Sequence, residues 1–418
     1  MSYTRKITSR SASADYSLHQ QITSIAGALY HNKNRVRSFG LFNGRAGITL
    51  LFAYLAKTFP GDGYEAITHG YLEELRESLT RKDLSHSLSS GKAGIGFVFQ
   101  HLCNNGSIDP SEGLDLNELD RVVIAGADRD QVLGTWDPVY GLVGLGIYFL
   151  ERHKATGETK YLEKIVGHIE SLSIEYNGQR VWTSNRPEQE QKQAYNFGMA
   201  HGMPGLLSFL ARVYELGVCK DSIASLIPAC LDFLLQHRAS KDRLYAFPVS
   251  VSASSAKDGK TAFQPSWRHG WCYGDLGMAL ALIHCGRALG QPEWRQKGIA
   301  IALRTTAIPF EYAGCEDAPF CHGTVGLVHQ YHRLYQATRN PRFRDAAENW
   351  LKLTMQHYYQ PGKFPGGYAY CSFDEDERKL VNTISYGLLE GIAGIGLVYL
   401  YYLHGTEPGW DSIFQTNI

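Results

Sequence analysis

Seven times along the chain, a Gly-x-x-Gly core is followed by a strongly apolar run. The copies are FNGRAGITLLF (42–52), LSSGKAGIGFVF (88–99), PVYGLVGLGIYFL (138–150), MAHGMPGLLSFL (199–210), WCYGDLGMALAL (271–282), FCHGTVGLVHQY (320–331) and LLEGIAGIGLVYL (388–400). Their first glycines are Gly44, Gly91, Gly141, Gly202, Gly274, Gly323 and Gly391, spaced 47, 50, 61, 72, 49 and 68 residues apart. Self-similarity at such a period predicts stacked supersecondary units. Each unit reads as two helices. The run after the second glycine, such as GLGIYFLERHK (144–154), predicts a helix buried nearly all round. A polar turn then leads to an amphipathic helix, such as TKYLEKIVGHIESL (159–172) or PRFRDAAENWLKLTMQHY (341–358), with apolar residues at i, i+3/i+4 and i+7.

An open solenoid of such pairs needs polar capping repeats at its ends. Here the terminal copies are as apolar as the middle ones, so the expectation is a closed all-α double ring, seven inner helices inside seven outer ones. Residues 1–39 read as an N-terminal lead-in and 40–418 as one seven-repeat domain. The repeated glycines are expected at sharp turns that tolerate positive φ, and where helix starts approach closely.

Composition narrows the function classes. The chain has 418 residues, 44% apolar and 20% charged, with 41 basic and 41 acidic side chains. A zero formal charge offers no footprint for nucleic acid. The first residues, MSYTRKITSRSASADYSLHQQ, contain no apolar h-region, and no stretch reaches about 18 uninterrupted apolar residues. A cytoplasmic protein without a transmembrane segment is expected, and its eight cysteines are expected to be reduced thiols.

Aligning the copies on the first glycine exposes candidate chemistry. The residue just before it is Asn43, Ser90, Tyr140, His201, Tyr273, His322 and Glu390: polar, or with a polar handle, in all seven. Two residues before it stand Cys272 and Cys321, and four before it, in the third copy, Asp137. In a closed ring, equivalent positions share one end, so these residues should converge on one mouth. Cys272, Cys321 and His322 would then meet although 49 residues separate the two cysteines. Two thiolates and an imidazole make three corners of a zinc tetrahedron and leave the fourth open, as catalytic zinc requires. The bland alternative, buried core thiols, suits Cys103, Cys219, Cys230, Cys285, Cys315 and Cys371 better than these two. Tyr140 and Tyr273 also suit simple wedges between helices. His329 and His332 read as core or surface positions, or as part of the inner wall.

At WDPVYGLVG (136–144), AHGMPG (200–205), RHGWCYGDLG (268–277) and CHGTVGL (321–327), within repeats spanning roughly 40–402, the chain resembles the lanthionine synthetase C-like family and, within it, the nisin-type lantibiotic cyclases. The resemblance implies an α,α-toroid of 14 helices with one zinc at one end. It implies Cys272, Cys321 and His322 as metal ligands, and Asp137, His201, Arg268 and Tyr273 as active-site residues around the metal. Nisin-type members carry a small inserted extension. The segment IEYNGQRVWTSN (174–185), within an insertion near 174–198, is a counterpart with an Asn177-Gly178 hairpin turn, or else an ordinary long connection.

The implied reaction is intramolecular Michael addition of cysteine thiols to dehydroalanine or dehydrobutyrine in a dehydrated, leader-bearing precursor peptide, which closes thioether rings. His201 suits the general acid, because imidazole carries a proton near neutrality. Arg268 suits stabilisation of the enolate oxygen, Asp137 orientation of His201 or Arg268, and Tyr273 a hydrogen bond at the metal. With no large N-terminal region, the resemblance implies a stand-alone cyclase beside a separate dehydratase and exporter, either free in the cytoplasm or held peripherally at a membrane through that complex. The alternative within the family is a glutathione-binding or glutathione-transferring protein. A prenyltransferase-like toroid is disfavoured by the adjacent Cys321-His322. A glycoside hydrolase would rest on Asp137 and Asp275 and leave both thiols unexplained.

Overall fold

The computed structural model describes residues 12–184, 194–240, 243–253, 263–405 and 407–418. Fourteen α-helices alternate between two rings among the described residues. In chain order they are α1 (Ala12–His31), α2 (Arg45–Thr58), α3 (Tyr64–Ser78), α4 (Lys92–Asn104), α5 (Asn117–Leu133), α6 (Leu142–Thr156), α7 (Lys160–Ser171), α8 (Met203–Glu215), α9 (Lys220–Gln236), α10 (Asp275–Ala288), α11 (Pro292–Thr305), α12 (Thr324–Thr338), α13 (Pro341–His357) and α14 (Ile392–His404). Even-numbered helices form the inner ring and odd-numbered helices the outer one. The burial follows the pattern. Every residue of α6 from Leu142 to Arg152 is buried, whereas α7 buries only Leu162, Ile165, Val166 and Ile169, one stripe at 3–4 spacing. Each fully buried aliphatic side chain of this kind contributes about 1.5–3 kcal/mol.

The ring is closed. The last inner helix, α14, packs against the first, α2, and α1 packs against α14 as the seventh outer helix. The lead-in stretch thus carries a helix that buries Leu18, Ile22, Ile25 and Leu29. Backbone bonds stitch neighbouring copies before their inner helices begin. Phe42 N donates to Ser89 O at 2.9 Å, Leu389 N to Phe42 O at 2.9 Å and Cys321 N to Leu389 O at 3.0 Å. The first and seventh copies are therefore joined directly.

The glycines serve close approach more than positive φ. Six of the seven first glycines are extended N-caps, for example Gly44 with φ −141° and Gly391 with φ −135°; Gly274 alone, with φ 121°, needs the glycine-only region. At the second glycine of the second copy, Gly94, a Cβ would lie 2.8 Å from Leu41 Cβ of the first copy and 2.1 Å from Leu88 O. Neighbouring copies touch through bare backbone, and any side chain there would push them apart.

Strands occupy the connections that lengthen the repeat spacing. β1 (Ile174–Tyr176) and β2 (Gln179–Val181) form a hairpin whose turn residues Asn177 and Gly178 have φ 51° and 77°, the chemistry expected of Asn-Gly. β3 (Thr183–Ser184), β4 (Ala194–Asn196), β5 (Pro248–Ser252) and β6 (Phe263–Pro265) form one antiparallel sheet. That sheet joins the connection after α7 to the one after α9. Residues 185–193 of the expected insertion lie outside the described residues. A second hairpin, β7 (Tyr370–Asp374) with β8 (Lys379–Thr383), fills the 68-residue interval before Gly391.

Candidate metal centre and active site

Five of the seven inner helices start from the same turn. The first helical N–H bonds back to the carbonyl seven residues earlier: Arg45 N to Ser38 O, Lys92 N to Ser85 O, Leu142 N to Thr135 O, Thr324 N to Asp317 O and Ile392 N to Ser385 O, at 2.8–3.2 Å. This bond satisfies a donor that would otherwise be orphaned at the helix start, and it presents the residue before each first glycine towards the ring axis. As a result Asn43, Ser90, Tyr140, His201, Tyr273, His322 and Glu390, the whole polar column, line one cavity of about 340 Å³ together with Arg268, Cys272 and Cys321.

Cys272, Cys321 and His322 do meet. Their ligand atoms lie within 4.8 Å of one another, the one such cluster among the described residues. Trp271 N and Cys272 N both donate to Cys321 O, at 3.0 and 3.1 Å, so the two cysteine turns are locked side by side. All eight cysteines are free thiols. The Cys272 thiol is held well below its ordinary pKa, first by the hydrogen bond from Cys321 and then by His322 and Arg268. The Cys321 thiol is pushed up in return, because it keeps the proton the pair shares. Burial opposes a charge on His322, but the Cys272 contact and Asp317 outweigh it and raise its pKa.

Around this cluster stand the other expected residues. His201 Nδ1 lies 3.5 Å from Asp137 Oδ1, and the His201 ring stacks on Tyr140 with centroids 5.6 Å apart. Asp137 sits behind His201 rather than on the cavity wall, and its Oδ1 accepts from Val139 N at 2.7 Å and Tyr140 N at 2.9 Å. One carboxylate thus shapes the WDPVYG turn and faces the histidine of the next copy. Tyr140 is 57% exposed, so it is no wedge. Arg268 lines the cavity, and its Nε is buried without a hydrogen-bond partner among the described residues. Tyr273 Oη accepts from Asn196 Nδ2 at 3.1 Å. Asp275 is turned away from the mouth, where its carboxylate accepts from Ala246 N and Phe247 N at 2.7 and 3.0 Å. Asp275 is therefore not available to pair with Asp137 for glycoside chemistry.

The model of the lanthionine synthetase C-like protein family matches residues 35–415. The chain belongs to that family. Nisin biosynthesis protein NisC of Lactococcus lactis subsp. lactis is 25% identical over 307 residues, covering 69% of this chain and 72% of that protein. The solved structure of nisin cyclase superposes with a TM-score of 0.75 at 21% identity, over 97% of this chain and 98% of that one. That likeness concerns the fold, an α,α-toroid.

Within this family member, one neighbour of the cluster, Asp317, escapes a reading based on the column before the glycine. Asp317 Oδ2 lies 3.8 Å from His322 Nε2 and accepts from Cys371 N of β7 at 2.9 Å. Its Oδ1 is buried with no partner among the described residues, and burial raises its pKa to about 6. Glu390 is held by Asn43 Nδ2 at 2.9 Å and by Tyr370 Oη at 3.4 Å. A signal for Asp317 exists in the sequence. Six residues before the first glycine stand Ser38, Ser85, Thr135, Asn196, Arg268, Asp317 and Ser385, a second wholly polar column. Its only charged members, Arg268 and Asp317, fall in the two copies that carry the cysteines.

Proposed function

We propose that this chain is a zinc-dependent lanthipeptide cyclase, which adds peptide cysteine thiols to dehydroalanine or dehydrobutyrine and so forms lanthionine and methyllanthionine rings. The observation that carries the proposal is the buried Cys272, Cys321 and His322 cluster lining a cavity whose wall also holds His201 and Arg268. Family membership and the likeness to nisin cyclase support an enzyme that forms thioether bonds. The donor set fits zinc: soft sulfurs with one imidazole, and three protein ligands rather than the four of a structural site. When bound there, zinc would take a substrate thiol in its fourth position and favour its thiolate.

The remaining work falls to side chains. As sulfur bonds to Cβ of the dehydro residue, charge passes to the adjacent carbonyl oxygen and Cα must gain a proton; the ring closes with no change in peptide mass. His201 is suited to deliver that proton, since its ring is held on one face by Tyr140 and at Nδ1 by Asp137. Arg268, in its low-dielectric setting, is suited to the carbonyl oxygen that gains charge. Tyr273, anchored by Asn196, faces the same cavity and can hydrogen-bond the incoming sulfur. The dehydrated precursor peptide with its leader is the proposed substrate, and a separate dehydratase and exporter are the proposed partners. No described helix is long and apolar enough to cross a membrane, so contact with one would come through that complex.

The test is direct. The purified chain is incubated with a dehydrated, cysteine-containing peptide, and remaining thiols are alkylated and counted by mass spectrometry. Loss of alkylatable thiol at constant mass is the expected result. Unchanged thiols sink the proposal. In a parallel incubation with glutathione added, its addition to the peptide in place of the peptide's own cysteine would point instead to a glutathione-transferring protein.

A further inference from the structure

The segment after α14 turns back into the inner ring and runs up its axis. All five residues Trp410–Phe414 are buried. Side chains and backbone of the ring hold this segment along its length. Arg333 Nε donates to Asp411 Oδ2 at 2.7 Å, with His329 Nε2 3.1 Å from the same oxygen. Arg212 Nη1 donates to Ser412 O at 2.9 Å, and Gln415 Nε2 donates to Gly205 O at 2.8 Å. Near the mouth, Trp271 Nε1 donates to Phe414 O at 2.8 Å.

Phe414 is where this segment meets the metal cluster. Its ring stacks on Phe320 with centroids 4.2 Å apart and an interplanar angle of 23°. It meets Trp271 edge-on at 5.0 Å and Phe42 at 5.5 Å. Phe320 immediately precedes Cys321, Trp271 immediately precedes Cys272, and Trp271 and Phe42 line the cavity. One aromatic ring therefore touches the residue before each cysteine of the cluster.

We infer that Phe414 is a positioning residue for the metal site, the floor against which both cysteine turns are pressed. The inference rests on the reading of Cys272, Cys321 and His322 as metal ligands. The physical reason is packing. Interiors are filled to crystal density, and a missing ring leaves its neighbours without contacts on one side. Trp271 and Phe320 would then be free to sag into the void, each carrying its cysteine with it. The Trp271 to Cys321 backbone bond ties the turns to each other, but it does not fix their height on the ring axis.

The experiment measures zinc affinity of the full chain by competition with a chromophoric chelator, together with the visible spectrum of the cobalt(II)-substituted protein. Phe414→Ala is expected to bind zinc weaker on the order of 10-fold or more, as loss of supporting contacts around a metal does, and to alter the cobalt bands. Far-UV circular dichroism should remain native. Phe414→Tyr, which keeps the ring, should restore affinity and spectrum. Ile165→Ala on the outer helix α7 controls for general destabilisation: it should lower Tm and leave zinc affinity native. If Phe414→Ala does not fold, Phe414→Leu carries the same test. Native affinity and native cobalt bands in the Ala or Leu variant overturn the inference, as does an equal loss in Ile165→Ala. A native chain that binds no stoichiometric zinc overturns the metal reading itself, which is a separate and distinguishable failure.

Discussion

The Asp317 carboxylate lies 3.8 Å from His322 Nε2, beside the cluster of Cys272, Cys321 and His322. A carboxylate behind a ligating histidine fixes its tautomer and ring orientation, and losing such a partner costs roughly 10–100-fold in metal affinity. Were Nε2 to serve Asp317, Nδ1 would be the nitrogen left for a metal. Asp317→Asn should therefore weaken zinc by about that factor while the chain stays folded, read by chelator competition. Equal affinities in the two proteins would remove Asp317 from any role at the site.

Cys272 and Cys321 come from neighbouring copies whose backbones are bonded at 3.0–3.1 Å, so neither ligand is replaceable by a movement of the other. Cys272→Ala and Cys321→Ala should each abolish stoichiometric zinc and ring closure together, starting from about one zinc per native chain, as a single three-ligand site allows. Metal analysis beside the alkylation assay checks this. A variant that lost zinc yet closed rings at the native rate would contradict the proposed chemistry.

His201 is separable from the metal. Its closest acidic neighbour is Asp137 at 3.5 Å, and the paired ligand atoms of the cluster do not include it. His201→Ala should keep zinc and slow ring closure by roughly 10²–10⁴-fold, the usual worth of a general acid. Asp137→Asn should keep zinc as well and slow closure less, because the imidazole remains present but less well oriented. Single-turnover rates with zinc content measured on the same samples would decide it. A His201→Ala enzyme at native speed would move the proton source elsewhere.

What could be read from the chain follows from which features repeat. The toroid and its closure are legible because the Gly-x-x-Gly period places like residues at like heights, and the ring makes height equivalent to position. His201, Cys272 and His322 inherit their place at the mouth from that argument. Asp317 was hidden by alignment on the residue next to the glycine, although a polar residue six positions earlier recurs in every copy. Phe414 could not be found this way at all. It follows the last repeat, belongs to no column, and approaches Trp271 and Phe320 only because the chain turns back along the axis. The β7 and β8 hairpin was equally silent, since its short exposed strands lack a clean alternation: Phe373 and Leu380 face solvent. Of the two roles expected of the repeated glycines, close approach holds where neighbouring copies touch, whereas positive φ at the first glycine holds only at Gly274.

Two buried histidines should make the fold acid-labile in a defined window. Burial drives the pKa of His269 down to about 3, and burial, with Arg287 and Arg212 nearby, does the same to His284. His269 Nε2 is 2.8 Å from Tyr331 Oη, and His284 Nε2 is 3.2 Å from the carbonyl of Gln415 on the axial segment. Both are neutral in the folded chain, whereas an unfolded histidine takes up a proton below about pH 6.5. The sign follows. The unfolded state binds more protons below that pH, so stability present above it is lost as pH falls towards 3. Each group contributes a slope of about 1.4 kcal/mol per pH unit within the window. Replacing His284 by Gln keeps a polar side chain near Gln415 O but removes one titrating group. The difference in unfolding free energy between native and His284→Gln proteins, measured by urea denaturation from pH 7 to pH 5 at one zinc concentration, should change by about 2 kcal/mol over that range, because protons on the metal ligands cancel in the comparison. A pH-independent difference would mean that His284 is solvated or charged in the folded chain, and that the axial segment is not sealed around it.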